Sequence, residues 1–416
     1  MKIGILHLTD AHISSKNDFI CSKTSKIVAA IKNVFEECEK IYIAFTGDIA
    51  KTGKKEEYII AKEFLDSIRS LLKTLYSDKL YPDIIITPGN HDCDFSLDTQ
   101  SRKLLLRELN YTLLGNDNSI IDAALTVQLP YTDFVKELNG DKAKERLFSC
   151  TDDIIGNHHI QFLCLNTAWM SQIQEQPGSL FFPIRVVNEK LNKGKDFCIS
   201  MFHHHPAWMT PNTDENNRNE FTDFVNGYSD IALVGHEHQQ RIEISGLLNE
   251  TSINYFSGEA LQNDANNSGF QILIIDIDTR EGMVQSFSWK KEYYAKQKES
   301  SFELKQRNMR HREFHNSSIY LDSIESLVIP LGEKQSKTKI ADLFVYPDLE
   351  QANDLNKEIN ASYEDSKRML NSDFAPICIL EGASQAGKTT LLKMIYLDAS
   401  LVSTKNFLVT SRLKIK

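Results

Sequence analysis

Short apolar runs recur along the N-terminal part of the chain, at residues 3–8, 41–45, 84–87, 160–165, 197–202 and 231–234. Their length and β-branched content predict buried strands. Residues 25–38 and 56–75 instead return an apolar side chain every three or four positions against a charged face, the period of an amphipathic helix. The alternation predicts an α/β layered domain. A segment at about 94–155 interrupts the series with helical patterns at 103–109 and 131–138, and is expected to be a helical insertion capping the strand ends. After the strand-like run 270–277, residues 290–312 hold eight basic against three acidic residues with few apolar positions. This reads as a linker or solvated helix; the other reading is a contact with a nucleic-acid backbone.

Composition narrows the class. With 416 residues, 41% hydrophobic and 25% charged, the chain is an ordinary globular protein of two domains, not a disordered or collagen-like one. The 47 Lys and Arg against 57 Asp and Glu give a net charge of -10, so no global positive field draws it to nucleic acid or to an anionic membrane. Seven cysteines without a C-x-x-C pair fit a reducing compartment and no zinc ribbon. His7 and Asp10 stand where a signal peptide needs an apolar stretch, and no uncharged apolar run reaches the roughly 18 residues of a bilayer span. A cytoplasmic protein without membrane function is expected.

Five motifs follow apolar runs in order: Asp10-Ala11-His12, Gly47-Asp48, Gly89-Asn90-His91-Asp92, His203-His204-His205-Pro206 and Gly235-His236-Glu237-His238. Strand C-termini in an α/β sheet meet on one rim, so these residues can share a crevice. Asp, His and Asn offer oxygen and imidazole donors to borderline divalent ions, and seven such groups suit two ions, with Asp48 as the natural bridge. Glycines 47, 89 and 235 are expected at sharp turns with positive φ. His7, His158 and His159 lie before or within strands without acidic companions and read as structural.

The motifs and their order resemble the calcineurin-like metallophosphoesterase superfamily, whose pattern is D-x-H, G-D, G-N-H-[DE], H and G-H-x-H, over about residues 1–285. The resemblance implies two stacked mixed β-sheets flanked by helices, a four-layer α/β sandwich spanning 1–288, around a binuclear metal centre. Carried over by position, Asp10, His12 and His238 hold the first ion and Asn90, His204 and His236 the second, with Asp48 bridging. The family's H-[HS]-P spelling selects His204 over His203 in the histidine run. His91 is expected to contact the phosphoryl group and the leaving oxygen, with Asp92 accepting the other N–H of its imidazole. The cofactors implied are two divalent ions, manganese first and iron, zinc or nickel as others. Such a pair acidifies a shared water and neutralises phosphoryl oxygens, so no protein nucleophile is needed.

The implied activity is that of a phosphodiesterase. The His-His-Pro spelling looks like the branch that cleaves cyclic-nucleotide and other small diesters; Gly-His-Glu-His also looks like the double-strand-break repair nucleases. The acidic net charge leans against a processive nuclease. The alternative is an assembly or binding module whose phosphoesterase site is vestigial or gated.

Near the end, Gly382 to Thr389 satisfies G-x-x-x-x-G-K-[ST], after the apolar run 377–380 and before a helical stretch. Backbone N–H groups of Gly382 through Gly387 would cradle phosphates, Lys388 would pair with the terminal ones and Thr389 would ligate magnesium. The 27 residues after Thr389 are too few for the rest of such a domain, so 371–416 is expected to be a truncated start of a P-loop α/β domain, with 289–370 a basic linker and helical connector. Ile379, Leu391 and Ile395 are then expected to lack packing partners. With the segment 342–347, this piece resembles the entry to a STAND or NACHT-type NTPase. That resemblance implies the effector end of an ATP-switched protein of prokaryotic antiviral defence, with ATP and magnesium bound in a longer chain and self-assembly through the missing NTPase region.

Overall fold

In β1, Lys2–Leu8, the side chains of Ile3 and Ile5 face one way, those of Leu6 and Leu8 the other, and all four are fully buried. A strand covered on both faces has no polar side to show, which is why its run is continuous rather than alternating. A computed structural model describes residues 1–77, 80–114, 118–140, 146–191, 195–211, 216–245, 253–262, 267–305, 344–350, 363–367, 380–383 and 386–401. The chain divides into two compact units, Met1–Gln306 and Arg307–Lys416.

The first unit holds two six-stranded mixed sheets. One comprises β1, β2 (Lys40–Thr46), β3 (Leu80–Thr87), β10 (Gly269–Asp276), β11 (Glu281–Lys290) and β12 (Tyr293–Glu303), in the order β12-β11-β10-β1-β2-β3. The other comprises β4 (Phe148–Ile155), β5 (His158–Leu165), β6 (Phe197–Phe202), β7 (Ile231–Val234), β8 (Arg241–Ser245) and β9 (Ile253–Ser257), in the order β4-β5-β6-β7-β9-β8. The strands β1, β2 and β3 run parallel, as do β5, β6, β7 and β9, while β10, β11 and β12 continue the first sheet antiparallel and β4 and β8 border the second antiparallel.

Ile3, Ile5 and Tyr42 of one sheet pack on Phe162, Ile199 and Leu233 of the other, forming the central core. The outer face of the first sheet is covered by α1 (Thr24–Ala30), α2 (Lys55–Leu75) and, from the inserted segment, α6 (Leu129–Asn139), whose Phe134 stacks on Tyr58 of α2 at 4.9 Å between ring centroids. The outer face of the second is covered by α7 (Ile184–Lys190), α8 (Asn217–Tyr228) and residues of the insertion such as Leu106 and Leu125. The expected α/β architecture of two mixed sheets flanked by helices is therefore present.

Three expectations are corrected. The insertion is helical at α3 (Gln100–Arg107), α4 (Tyr111–Leu114), α5 (Asn118–Ala124) and α6, but its last part is β4, an antiparallel edge strand on β5. The basic stretch is neither linker nor helix at 293–303: it is β12, hydrogen-bonded antiparallel to β11 along its length. Tyr294, 4% exposed, packs in the core under the outer helices and Phe302, 9% exposed, in the core between the sheets, so the two ends of β12 bury opposite faces; between them Lys296 and Lys298 are exposed on an edge strand, where lysine discourages edge-to-edge pairing.

The third correction lies in the second unit. There β13 (Asp348–Glu350) pairs antiparallel with β14 (Tyr363–Asp365), and a helix α9 spans Lys388–Leu401. Leu391, Met394 and Ile395, on one helical face, are only 3–4% exposed, so Leu391 and Ile395 are covered, against the expectation. Ile379, the run 377–379 and positions 384–385 of the Gly-rich loop lie outside the described residues. Among the described residues no helix is long and apolar enough to cross a membrane.

Candidate metal centre

The segments leaving β1 and β2 run side by side: Asp10 donates its N–H to Gly47 O, His12 to Asp48 O and Ile13 to Ile49 O, at 2.8–3.0 Å. This pairing brings Asp10-Ala11-His12 against Gly47-Asp48 before any metal is considered. Asp10, His12, Asp48, His236 and His238 all sit at positive φ, between 46° and 69°. For non-glycine residues that conformation costs about 1–3 kcal/mol each, and it is tolerated where the surrounding structure and a functional site demand it.

The glycines work differently from the expectation. Only Gly47 has positive φ, 91°; Gly89 is extended at −109°, and a Cβ on it would stand 2.1 Å from Asp48 Oδ1. Gly235 likewise leaves room for Thr46 O, which a Cβ would approach to 2.3 Å. Their role is close approach between neighbouring turns.

Among the described residues donor atoms gather in four overlapping groups, on a His12 side and a His203 side that share Asp48 and Asp10. They are Asp10, His12 and His238; His12, Asp48 and His91; Asp10, Asp48 and His203; and His203, His204 and His236, and within each group the donor atoms lie inside 4.8 Å of one another. His203 Nε2 is 3.2 Å from Asp48 Oδ2, 3.0 Å from Asn90 Oδ1 and 3.2 Å from His236 Nδ1. His203 Nδ1 donates to Thr46 O at 2.8 Å, which fixes the proton there and points Nε2 into the cluster.

His204 does not take the expected place. It lies near His203 and His236, but its Nε2 donates to Glu175 Oε2 at 3.0 Å and its Nδ1 meets Thr167 Oγ1 at 3.2 Å, so both nitrogens are engaged away from Asp48 and Asn90. The reason is strand parity. In β6, Met201 faces the core between the sheets and Phe202 the outer layer; continuing the alternation, His203 points inward and His204 outward. Because β6 is buried on both faces, its sequence does not show which parity faces inward, and the Glu175 and Thr167 partners are equally a product of the fold.

Asp92 is also corrected. Its carboxylate does not touch the His91 ring, whose Nδ1 donates to Lys51 O at 2.8 Å. It instead accepts the backbone N–H groups of Asp48 at 2.8 Å, Gly89 at 2.9 Å and Ala50 at 3.0 Å, and the Tyr58 hydroxyl at 3.2 Å. His91 is exposed, and its ring lies 4.6 Å from that of His12.

Electrostatics favour cations here. Burial alone would lower the His203 pKa, but the Asp48 carboxylate outweighs it and raises it to about 10. Burial would raise Asp48, yet His203 beside it brings it well below the ordinary carboxylate range. Thus without an ion a proton on His203 neutralises part of the acidic charge. Burial, aided by His204 and His203, pushes His236 down to about 3, leaving a neutral imidazole. Asp10 Oδ1 is buried with His238 Nε2 at 3.2 Å and His12 Nε2 at 3.9 Å, but with no aligned hydrogen bond. An orphaned buried carboxylate oxygen facing two imidazoles, together with an all N/O donor set, fits a divalent ion.

The remaining predicted residues are apart from this cluster in sequence. Lys388 opens α9 and its ammonium donates to the carbonyls of Gly382 and Ala383 at 2.7 Å each; Gly387 has a φ of 82°, and Thr389 lies in the first turn of the helix.

Comparison with known proteins places the chain. The uncharacterized metallophosphoesterase-like protein YydB of Bacillus subtilis (strain 168) is 23% identical over 362 residues, covering 83% of this chain and 72% of that protein. Among solved structures, the calcineurin-like phosphoesterase YfkN from Bacillus subtilis is similar at 12% identity and a TM-score of 0.34, covering 73% of this chain and 90% of that one. A single mutant of Vps29 from Entamoeba histolytica is similar at 12% identity and a TM-score of 0.29, covering 72% and 99% respectively. The sequence profile of the calcineurin-like phosphoesterases matches residues 3–240, a span that takes in every motif from Asp10 to His238, and by that match the chain belongs to the calcineurin-like phosphoesterase family.

Proposed function

We propose that this protein is a phosphodiesterase working with two divalent ions, manganese first among them, on nucleotide or nucleic-acid diesters. The observation that carries the reading is the position of Asp48, shared between the donors on the His12 side and those on the His203 side. Asp10, His12 and His238 would hold one ion, Asn90, His203 and His236 the other, with Asp48 between. Bound there, the ions supply charge neutralisation for the phosphoryl oxygens and an acidified water as nucleophile.

The chain's own residues do the rest. Asp92 holds the Asp48 turn rigid through three backbone N–H groups. Thr46 O fixes the tautomer of His203. His91, whose Nδ1–H donates to Lys51 O, has Nε2 left for the substrate; as the imidazolium it would donate the Nε2–H to a phosphoryl oxygen or pass that proton to the leaving oxygen, ending as the neutral Nδ1–H imidazole.

The test is Mn-dependent hydrolysis of small aromatic phosphodiesters, cyclic nucleotides and single- and double-stranded DNA, with metal content measured on each variant. Asp48→Asn should lose both metal and activity. His91→Asn should keep the metal and lose about 100-fold or more in turnover. Hydrolysis by His91→Asn at the wild-type rate would remove His91 from the mechanism, and an inactive wild type loaded with metal would count against the enzyme reading.

A second reading concerns the C-terminal unit: an ATP-responsive switch that governs the phosphoesterase, as in STAND-type proteins of antiviral defence. What supports it is the motif ending in Lys388-Thr389 at the start of α9. Binding of a fluorescent ATP analogue that is lost in Lys388→Ala would support it, and equal binding by both proteins would count against it.

A further inference from the structure

Beside the second donor cluster stands an aromatic side chain that the hydrolytic reading does not use. Trp208 ends the short turn Pro206–Trp208, and its half-buried ring meets that of His236 edge-on, 4.3 Å between centroids, with His204 at 5.7 Å. Its Nε1–H donates to Glu237 Oε1 at 3.0 Å, so the motif that supplies His236 and His238 also fixes the indole through the residue between them.

The turn is held from both sides. Trp208 O accepts the N–H groups of Gly178 and Leu180, each at 3.1 Å, and Arg218 donates to Ala207 O at 2.8 Å and to Met209 O at 3.2 Å. The indole therefore sits on a rigid support, one imidazole away from the cluster where a phosphoryl group would bind.

The charge around it excludes one kind of neighbour. Glu237 accepts the indole N–H, and Glu175 meets His204, whose ring lies 5.7 Å from the indole, while Arg218 donates to the carbonyls of Ala207 and Met209. A carboxylate on the indole N–H is a poor neighbour for a second phosphate. The ring suits a flat, uncharged group, and stacking of a base on an aromatic ring is worth about 1–3 kcal/mol.

We propose that Trp208 is the platform on which the nucleobase of a nucleotide diester stacks while its phosphoryl group lies at the metal cluster. The proposal rests on the phosphodiesterase reading above and narrows it to substrates whose reacting phosphate carries a nucleoside. Glu237 is a positioning residue, since it acts through the indole.

The experiment compares two diesters with the same leaving group, thymidine 5′-monophosphate p-nitrophenyl ester and methyl p-nitrophenyl phosphate, on the full Mn-loaded chain. The wild type should prefer the nucleoside ester. In Trp208→Ala that preference, as a ratio of kcat/KM, should fall roughly ten-fold, mainly through KM, and Trp208→Phe should restore most of it. A preference that survives Trp208→Ala, or a wild type with none, overturns the platform; so does a loss that Trp208→Phe fails to restore.

Should the wild type hydrolyse neither ester, the phosphodiesterase reading has failed, and the platform is judged by binding. The chain has three tryptophans, so the difference in fluorescence between wild type and Trp208→Phe isolates the one in question. Quenching of that difference signal by thymidine 5′-monophosphate but not by ribose 5-phosphate supports stacking. Equal response to both, or to neither, overturns it.

Discussion

Asp92 Oδ2 accepts the backbone N–H of Asp48 at 2.8 Å, so the last residue of one motif holds the turn that presents the central carboxylate of the site. The Asp92 carboxylate is fully buried, and burial together with the Asp48 charge raises its pKa to about 7. Replacing it by Asn exchanges one acceptor oxygen for a donor and leaves buried N–H groups of 48–50 or 89 unpaired. Asp92→Asn should lose about 2–4 kcal/mol of stability and weaken metal binding, as read by urea denaturation and metal titration. Wild-type stability in this variant would mean that the turn holds without the carboxylate.

The two adjacent histidines should separate cleanly. His203→Ala removes a donor facing Asp48 and Asn90 and should abolish retention of one of two ions, counted by elemental analysis of the purified protein. His204→Ala removes the partner of Glu175 and should keep both ions. The reverse outcome would restore His204 to the metal centre and show that the Glu175 contact gives way when an ion binds.

His7 gives a pH dependence with a definite sign. It is fully buried, its Nε2 donates to Thr46 Oγ1 at 2.9 Å, and it accepts from Gln271 Nε2 at 2.8 Å, so it is held neutral. Burial lowers its pKa from 6.5 to about 3. Because the unfolded chain then binds the proton more readily, stability present above pH 6.5 is lost progressively as the pH falls toward 3. In EDTA, moving from pH 7.5 to 5.5 should cost the wild type about 1.4 kcal/mol more than His7→Gln. Parallel pH profiles for the two proteins would show that His7 is not the group responsible.

Arg102 ties the helical insertion to the loop after β5. Its side chain is 2% exposed and donates to Ala124 O at 2.6 Å, Ser171 O at 2.9 Å and Asp98 Oδ1 at 3.1 Å, all within reach of one guanidinium. Arg102→Ala leaves the buried Asp98 carboxylate with only the longer Lys103 contact, at 3.7 Å, and two carbonyls unpaired, and should cost about 3–5 kcal/mol. Chemical denaturation measures it; a loss below about 1 kcal/mol would mean that water replaces the guanidinium.

The strands, the amphipathic helices and the order of the five motifs were legible along the chain, because each depends on local chemistry: a strand buried on both faces must be apolar throughout, and a turn that crowds two backbones must have glycine. Strand β12 was hidden by its charge. It lies at a sheet edge, where only Tyr294 and Phe302, on opposite faces, pack into a core and the lysines between them are exposed. The histidine run shows the other limit. A motif spelling names residue types, but which of His203 and His204 meets Asp48 depends on the register of β6 between two sheets. Likewise Asp92 is adjacent to His91 in sequence yet serves the backbone of a turn some 40 residues away, because β2 and β3 end side by side. Sequence by itself determined which side chains are available for metal chemistry. Only the packing of one sheet on the other decided which of them face one another, since side-chain direction at a strand end is set by neighbours that the local sequence does not contain.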